Sequence, residues 1–204
     1  MRFFILLLLL IFPLFAEVGK ITYIKGHVLL ERDGTKKPAL VGMNLKEKDV
    51  LKTNAASLIK LLFADKSAIS IGSKSEFSIQ NYLYDETKNS VAKFKLKKGV
   101  FRAITGKIAK ITPKKFKLKT RTVTIGIRGT IFSGVVEENR EEFFCEKGSI
   151  YVQSKGISMD VDKGFKTYVI PGRAPVKQRR YKQSDLKKVR SQTSGWKDKN
   201  CKTN

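Results

Sequence analysis

Short alternations of apolar and polar residues run through most of this chain and constrain its fold more than any other feature. Runs of four to eight residues alternate with a period of two, for example at 19–24, 58–63 and 94–97. This period places successive side chains on opposite faces of a strand. The runs are separated by Gly, Asp, Asn and Lys turns, including the hairpin-type pair Asp33-Gly34. The sequence therefore predicts an all-β fold of short strands.

A short internal repeat refines this prediction. The sequence KFKLK occurs at 93–97 and again at 115–119. A period near 20 residues is the size of one turn of a β-solenoid. Two copies do not make an array, but they favour a solenoid-like two-sheet β roll or sandwich over a closed barrel.

The chain divides into three predicted segments. Residues 1–16 have a positive start, a short apolar run and a small residue at Ala16, which is typical of a secretory signal peptide; an uncleaved anchor is the alternative. Residues 17–170 form the predicted β domain. Residues 171–204 are predicted to be a basic tail, mobile or loosely docked, with a short helix at 186–191 capped by Ser184-Asp185.

The residues of common catalytic and metal sites are scarce. The single histidine, His27, lies in a strand-like run, and no Cys-x-x-Cys, dinucleotide-binding or phosphate-loop pattern occurs. We therefore expect no catalytic residue, metal or cofactor. The glutamates at 137–142 are interpreted as a solvated hairpin tip; a glycosidase pair is the alternative, but it needs a cleft that a charged turn does not provide. Cys145 and Cys201 can pair in an exported chain or remain free, and the sequence leaves both options open.

Positive charge is the strongest functional signal. The net charge is +24, and residues 93–121 hold twelve basic residues and no acidic one. Alternation would place lysines on one sheet face and apolar residues on the other. The candidate partner-binding residues are Lys95, Lys97, Lys117, Lys119 and Arg121. The alternative is an ordinary solvated face.

Such an excess of positive charge predicts an anionic partner. For an exported chain we expect an envelope polymer, a lipid headgroup with peripheral membrane contact, or an acidic protein, and export disfavours nucleic acid. The sequence does not indicate an oligomeric state.

Six segments in order resemble motifs of the FecR family, the periplasmic domains of iron-responsive signal transducers. They cover residues 18–170. The best match is TIGIRGTIF at 124–132; the others lie at 19–30, 49–57, 62–67, 96–102 and 146–152. The resemblance implies an all-β periplasmic domain that binds a ligand or partner and does not catalyse a reaction.

The resemblance also marks four signature residues, which it implies are structural: Gly126, Arg128, Gly129 and Thr130. Arg128 would pair with a buried carboxylate or with carbonyl groups, and a ligand-binding role is the alternative. Only two residues precede the apolar run, so we expect a free periplasmic, cell-surface or secreted module without the cytoplasmic anti-sigma segment of the transducers.

The predicted function is therefore an exported, non-enzymatic FecR-type module that binds an anionic envelope component or a partner protein. One alternative is a periplasmic signalling part that docks on a membrane transducer in an iron-response-like pathway. The other, which the scarcity of histidine disfavours, is a hydrolase or lyase of acidic polysaccharides.

Overall fold

The predicted all-β fold is confirmed by a computed structural model that describes residues 18–194. The predicted signal peptide, its cleavage site and Cys201 lie outside the described residues. The strands are β1 (Gly19–Lys25), β2 (Val28–Arg32), β3 (Thr35–Pro38), β4 (Asn44–Leu45), β5 (Val50–Thr53), β6 (Leu58–Phe63), β7 (Ala68–Ile71), β8 (Glu76–Leu83), β9 (Val91–Ile104), β10 (Phe116–Lys119), β11 (Thr124–Val136), β12 (Glu141–Ser154), β13 (Ile157–Asp162), β14 (Phe165–Val169) and β15 (Arg179–Arg180). The helices are α1 (Ile108–Ile111) and α2 (Lys187–Thr193), with one 3-10 turn at Pro113–Lys115.

The strands form one continuous sheet that folds over into two layers, which is the predicted roll. The first layer runs β3-β2-β5-β8-β9-β10-β11-β12-β13 and uses the first halves of β9 and β11 and the second half of β12. The second layer runs β4-β1-β6-β7-β9-β11-β12-β14-β15 and uses the other halves of the same three strands. The long strands β9, β11 and β12 therefore belong to both layers.

The hydrophobic core lies between the layers. The ring of Phe63 in β6 lies 4.9 Å from the ring of Phe94 in β9 and 5.4 Å from that of Tyr82 in β8, measured between centroids. Phe94 also contacts Phe77 and Phe116. These side chains are the apolar members of the alternating runs, so burial of one strand face fixes which face of each layer remains outside.

Each long strand carries a glycine with positive φ where it passes from one layer to the other. Gly99 in β9 has φ +113°, Gly129 in β11 has φ +56° and Gly148 in β12 has φ +74°. The pairing partners change at these points, and the β11–β12 register shifts between Arg128 and Ile131. Since most side chains disfavour positive φ, glycine permits these bends at low cost.

The segment after β14 packs on the outer face of the second layer. Leu186 and Val189 of this segment are buried against Val100, Val135 and Phe144. The helix begins at Lys187, close to the predicted position, but the predicted cap is not formed. No side chain caps α2, and the Asp185 carboxylate instead accepts a hydrogen bond from the Lys182 N–H at 2.9 Å.

None of the helices between residues 18 and 194 has the length and apolar character needed to cross a membrane.

Candidate partner-binding surface

The two copies of the KFKLK repeat lie side by side, because β10 pairs in parallel with the first half of β9. Lys117 lies opposite Lys93, and Lys119 lies opposite Lys95. The intervening apolar residues point into the core; they are Phe94, Leu96, Phe116 and Leu118. The four lysines Lys93, Lys95, Lys117 and Lys119 share the outer face, and we call them the lysine ladder. A shared lysine face requires that the two repeats be neighbours in the sheet, and the structure shows that they are.

The ladder concentrates positive charge without a counter-charge. Neighbouring strands lie about 4.8 Å apart, and alternate residues along a strand are about 6.6 Å apart. Among residues 18–194, no side chain forms an ion pair with a ladder lysine. Lys117 is half-buried and the other three are exposed. Because like charges directly opposite each other destabilise a sheet, an anion bound here would relieve an existing repulsion.

The other two candidate residues already have partners within the chain. Lys97 follows Lys95 on the same outer face of β9, and its Nζ is 3.5 Å from Glu76 Oε1. Arg121 follows β10 and donates hydrogen bonds to the carbonyl oxygens of Glu137 and Glu138 at 3.0 and 2.7 Å. Lys93 takes their place, although it was not among the five candidates. The repeat contained this lysine, but only the strand register shows that it lies opposite Lys117.

Beyond the ladder, the same outer face carries Tyr151, several neutral polar side chains and the exposed charged residues Arg128, Asp160 and Asp162. Gly126 lies opposite Lys117 and, on its other side, opposite Tyr151. The Tyr151 ring lies over Gly126, and any side chain at that position would overlap the ring. The signature glycine is therefore required for a close approach. Thr124, Gln153 and Ser158 form a parallel polar row across β11, β12 and β13.

Arg128 and Thr130, the other signature residues, occupy contrasting environments. Arg128 is exposed, and its side chain forms no hydrogen bond or ion pair within residues 18–194, so the expected pairing with a buried carboxylate is not found there. Thr130 is buried; its N–H donates to Thr105 Oγ1 at 2.9 Å, and its carbonyl accepts from the Thr105 N–H at 3.1 Å. Thr130 thus ties the bend of β11 to the end of β9.

The glutamates at 137–142 are only partly a solvated hairpin tip. Glu137 and Glu138 are exposed in the turn between β11 and β12, but Glu141 is fully buried. Its carboxylate accepts hydrogen bonds from the hydroxyls of Thr120 and Thr122. The two threonines satisfy this carboxylate, which explains how it is buried without a cation.

Side chains that could bind a metal are not clustered in the described part of the chain. His27 is exposed next to β2, and residues 18–194 contain no cluster of three His, Cys, Asp or Glu side chains that could hold a metal. Cys145 is buried and forms no disulfide within these residues. Burial raises the pKa of its thiol to about 11.

A groove of about 680 Å³ lies on the outer face of the second layer beside the end of α2. Its walls include Leu62, Ala68 and Ile104. Its two arginines already contact a carboxylate: Arg102 Nε donates to Glu146 Oε1 at 3.0 Å, and Arg190 lies 3.9 Å from Glu146. The sequence does not indicate this groove, because its walls come from strands and a helix that are far apart in the chain.

Comparison with solved structures places this architecture among known folds. Two crystal structures of a candidate anti-sigma factor from Parabacteroides distasonis ATCC 8503 are similar to it, each with a TM-score of 0.55 and 9% sequence identity. Each alignment covers 67% of this chain and 62% of that one, so this chain spans less than two thirds of that protein. At this identity the similarity shows a shared fold alone.

Comparison with protein sequences gives one positive result. No curated protein matches the chain. The model of the FecR protein family matches residues 49–151, just over half of the chain, and this range includes the lysine ladder and the signature residues. The match confirms the resemblance seen in the sequence motifs, and the chain belongs to the FecR family.

Proposed function

We propose that this protein is an exported, non-enzymatic binding module whose lysine ladder docks an anionic macromolecule of the cell envelope. The observation that carries this proposal is the direct pairing of Lys93 with Lys117 and of Lys95 with Lys119, without a described counter-charge. The groove beside α2 is the other candidate site, but its arginines already contact Glu146. The ladder is therefore the better site for an external anion.

Export is part of this proposal and rests on residues 1–16. Their positive start, apolar run and Ala16 are typical of a cleaved signal peptide. We expect protein from the envelope fraction to begin at Glu17 on N-terminal sequencing. A chain that still begins at Met1 and remains in the membrane would instead indicate an anchor.

The experiment compares two variants of the full chain that each lose four charges. The ladder variant changes Lys93, Lys95, Lys117 and Lys119 to Gln. The matched tail variant changes Lys177, Arg179, Lys182 and Lys187, all exposed, to Gln. The tail is neutralised and not truncated, because residues 171–194 pack on the sheet and their removal would uncover Val100, Val135 and Phe144.

Binding to immobilised polyphosphate, a simple polyanion, is measured for both variants at low salt. We expect the ladder variant to stay folded and lose at least tenfold in affinity, while the tail variant keeps most of its affinity. If the tail variant loses binding and the ladder variant does not, the lysine ladder is not the docking surface.

A signalling role is the second candidate, and the similarity to a candidate anti-sigma factor favours it. In that case the anionic partner would be an acidic surface of a membrane transducer. Pull-downs from envelope extracts at low and high salt separate the two. Salt-sensitive recovery of one protein that depends on the ladder supports signalling, whereas recovery of a polymer supports the first proposal.

A further inference from the structure

We infer that the anionic ligand is an acidic polysaccharide, with its acidic groups on the lysine ladder and a sugar ring on Tyr151. This inference rests on the proposed function of the ladder and adds the chemical class of the ligand. It follows from what lies beside the lysines on the same face of the first layer.

Tyr151 provides a flat apolar platform next to the ladder. It lies opposite Gly126, which itself lies opposite Lys117. The ring occupies the space above Gly126, so it lies across β11 toward the ladder and does not project from the sheet. Tyr151 is only half-buried, so part of the ring remains open to solvent. An aromatic ring that lies against the sheet and carries a hydroxyl group can bind ligands that have both an apolar face and hydroxyl groups.

Neutral hydrogen-bonding groups lie on one side of this platform, and the exposed Arg128 lies on the other side along β11. One row of polar side chains crosses three strands and consists of Thr124, Gln153 and Ser158. Gln153 follows Tyr151 by two residues in β12, so the row lies next to the ring on the same face. Lys119 lies opposite Thr124, so this row continues directly from the ladder. Hydroxyl and amide groups can both donate to and accept from sugar hydroxyls, whereas a fully ionised polyphosphate would only accept from them.

Asp160 marks the far limit of the basic surface. It is exposed on β13, opposite Tyr151 and on the side away from the ladder. Its carboxylate would repel an acidic group there but could accept a hydrogen bond from a hydroxyl. The surface therefore favours a ligand whose acidic groups lie over β9, β10 and Arg128 of β11, and whose neutral part lies over Tyr151 and β13.

Single-stranded nucleic acid also combines negative charge with rings that stack. Proteins that bind it without sequence preference usually offer several aromatic side chains on which successive bases stack. Here the aromatic group beside the ladder on the described outer face is Tyr151, and its neighbours are polar or charged residues and not further aromatic rings. These features favour a sugar polymer, and an oligonucleotide becomes a control ligand.

The test uses the full chain with Tyr151→Ala, Tyr151→Phe and the ladder variant. Four probes are compared: polygalacturonate, dextran sulfate, polyphosphate and a single-stranded oligonucleotide. We expect Tyr151→Ala to weaken binding to at least one of the two polysaccharides by about tenfold, because it removes the stacking surface. Its binding to polyphosphate should not change, which also shows that the ladder is still folded. Tyr151→Phe should retain binding to within about threefold.

Failure of the inference can be distinguished from failure of the proposed function. If Tyr151→Ala binds both polysaccharides as wild type does, or weakens only oligonucleotide binding, the polysaccharide inference is wrong while the ladder proposal stands. If the ladder variant binds all four probes as wild type does, both are wrong.

Discussion

At the scale of single residues, the family signature is explained by two different demands on the backbone. Gly126 is needed because the Tyr151 ring occupies the space above it. Gly129 is needed because β11 adopts φ +56° there as it passes between the layers, although a Cβ atom at this position would have no neighbour within 4 Å. The same motif thus contains one glycine required by packing and one required by conformation.

This difference predicts the outcome of substitutions at Gly129. Gly129→Val should lower the free energy of unfolding by about 2 kcal/mol or more, because a β-branched residue is strained at positive φ. Gly129→Asn is the control, since Asn tolerates this region and the site has room for it. Urea unfolding should therefore rank the stabilities as wild type, Asn, then Val. A Val variant as stable as wild type would contradict this account of the bend.

Cys145 should be protected from thiol reagents in the folded protein. Burial is the main cause that raises its pKa to about 11, and the Asp162 charge adds to it. At pH 8 only about one thiol in a thousand would be ionised, and the thiolate is the reactive form. In a Cys201→Ser variant, iodoacetamide should label Cys145 slowly when the protein is folded and rapidly when it is unfolded in urea. Native labelling at the rate of an exposed cysteine would show that this strand is open.

At the scale of elements, a buried lysine fastens the segment before α2 to the sheet. Lys166 in β14 is nearly inaccessible, and its Nζ lies 3.1 Å from both Glu142 and Asp185. The same ammonium group lies 5.4 Å from the centre of the Phe144 ring. Paired contacts of this kind offset the cost of burying the charge. The basic tail is therefore docked through residue 194 by both apolar and charged contacts.

This arrangement predicts a dependence of stability on pH. The Lys182 N–H, and after it Lys166, lower the pKa of Asp185. A lowered carboxyl pKa contributes stability that is present above about pH 4 and is lost as the pH falls through the folded-state value. Asp185→Asn should therefore melt a few degrees below wild type at pH 7, and the difference should shrink near pH 3. A difference that is unchanged at pH 3 would show that the Asp185 charge does not fasten the segment.

The sequence predicted those elements that a local pattern determines. The alternation of apolar and polar residues identified most strands and predicted that Phe94 faces the core. The predicted turn pair Asp33-Gly34 joins β2 to β3. Strand register depends on residues far apart in the chain, so the sequence could not predict that Lys93 lies beside Lys117. For the same reason it could not predict that Arg121 donates hydrogen bonds to carbonyl groups of the β11–β12 turn. Burial of Glu141 depends on two threonines about 20 residues away, which no local pattern indicates.

At the scale of the whole molecule, the two layers present different outer faces. The first layer carries the lysine ladder and the mixed polar surface around Tyr151, whereas the second is partly covered by α2 and its preceding segment. The high net charge of the chain is thus not simply spread evenly, because four lysines on two adjacent strands lack a described counter-charge. The family fold provides the flat sheet on which this cluster is built.

The salt dependence of polyanion binding shows how much of the affinity comes from the charges of the lysine ladder. Dissociation constants for polyphosphate are measured at several salt concentrations for wild type, the ladder variant and the tail variant. Screening shortens the reach of each charge to about 8 Å at physiological ionic strength, so binding through charges weakens as salt rises. We predict a steep dependence for wild type and the tail variant, and a clearly flatter one for the ladder variant. A ladder variant with the wild-type affinity and slope would contradict the claim that these four lysines form the docking surface.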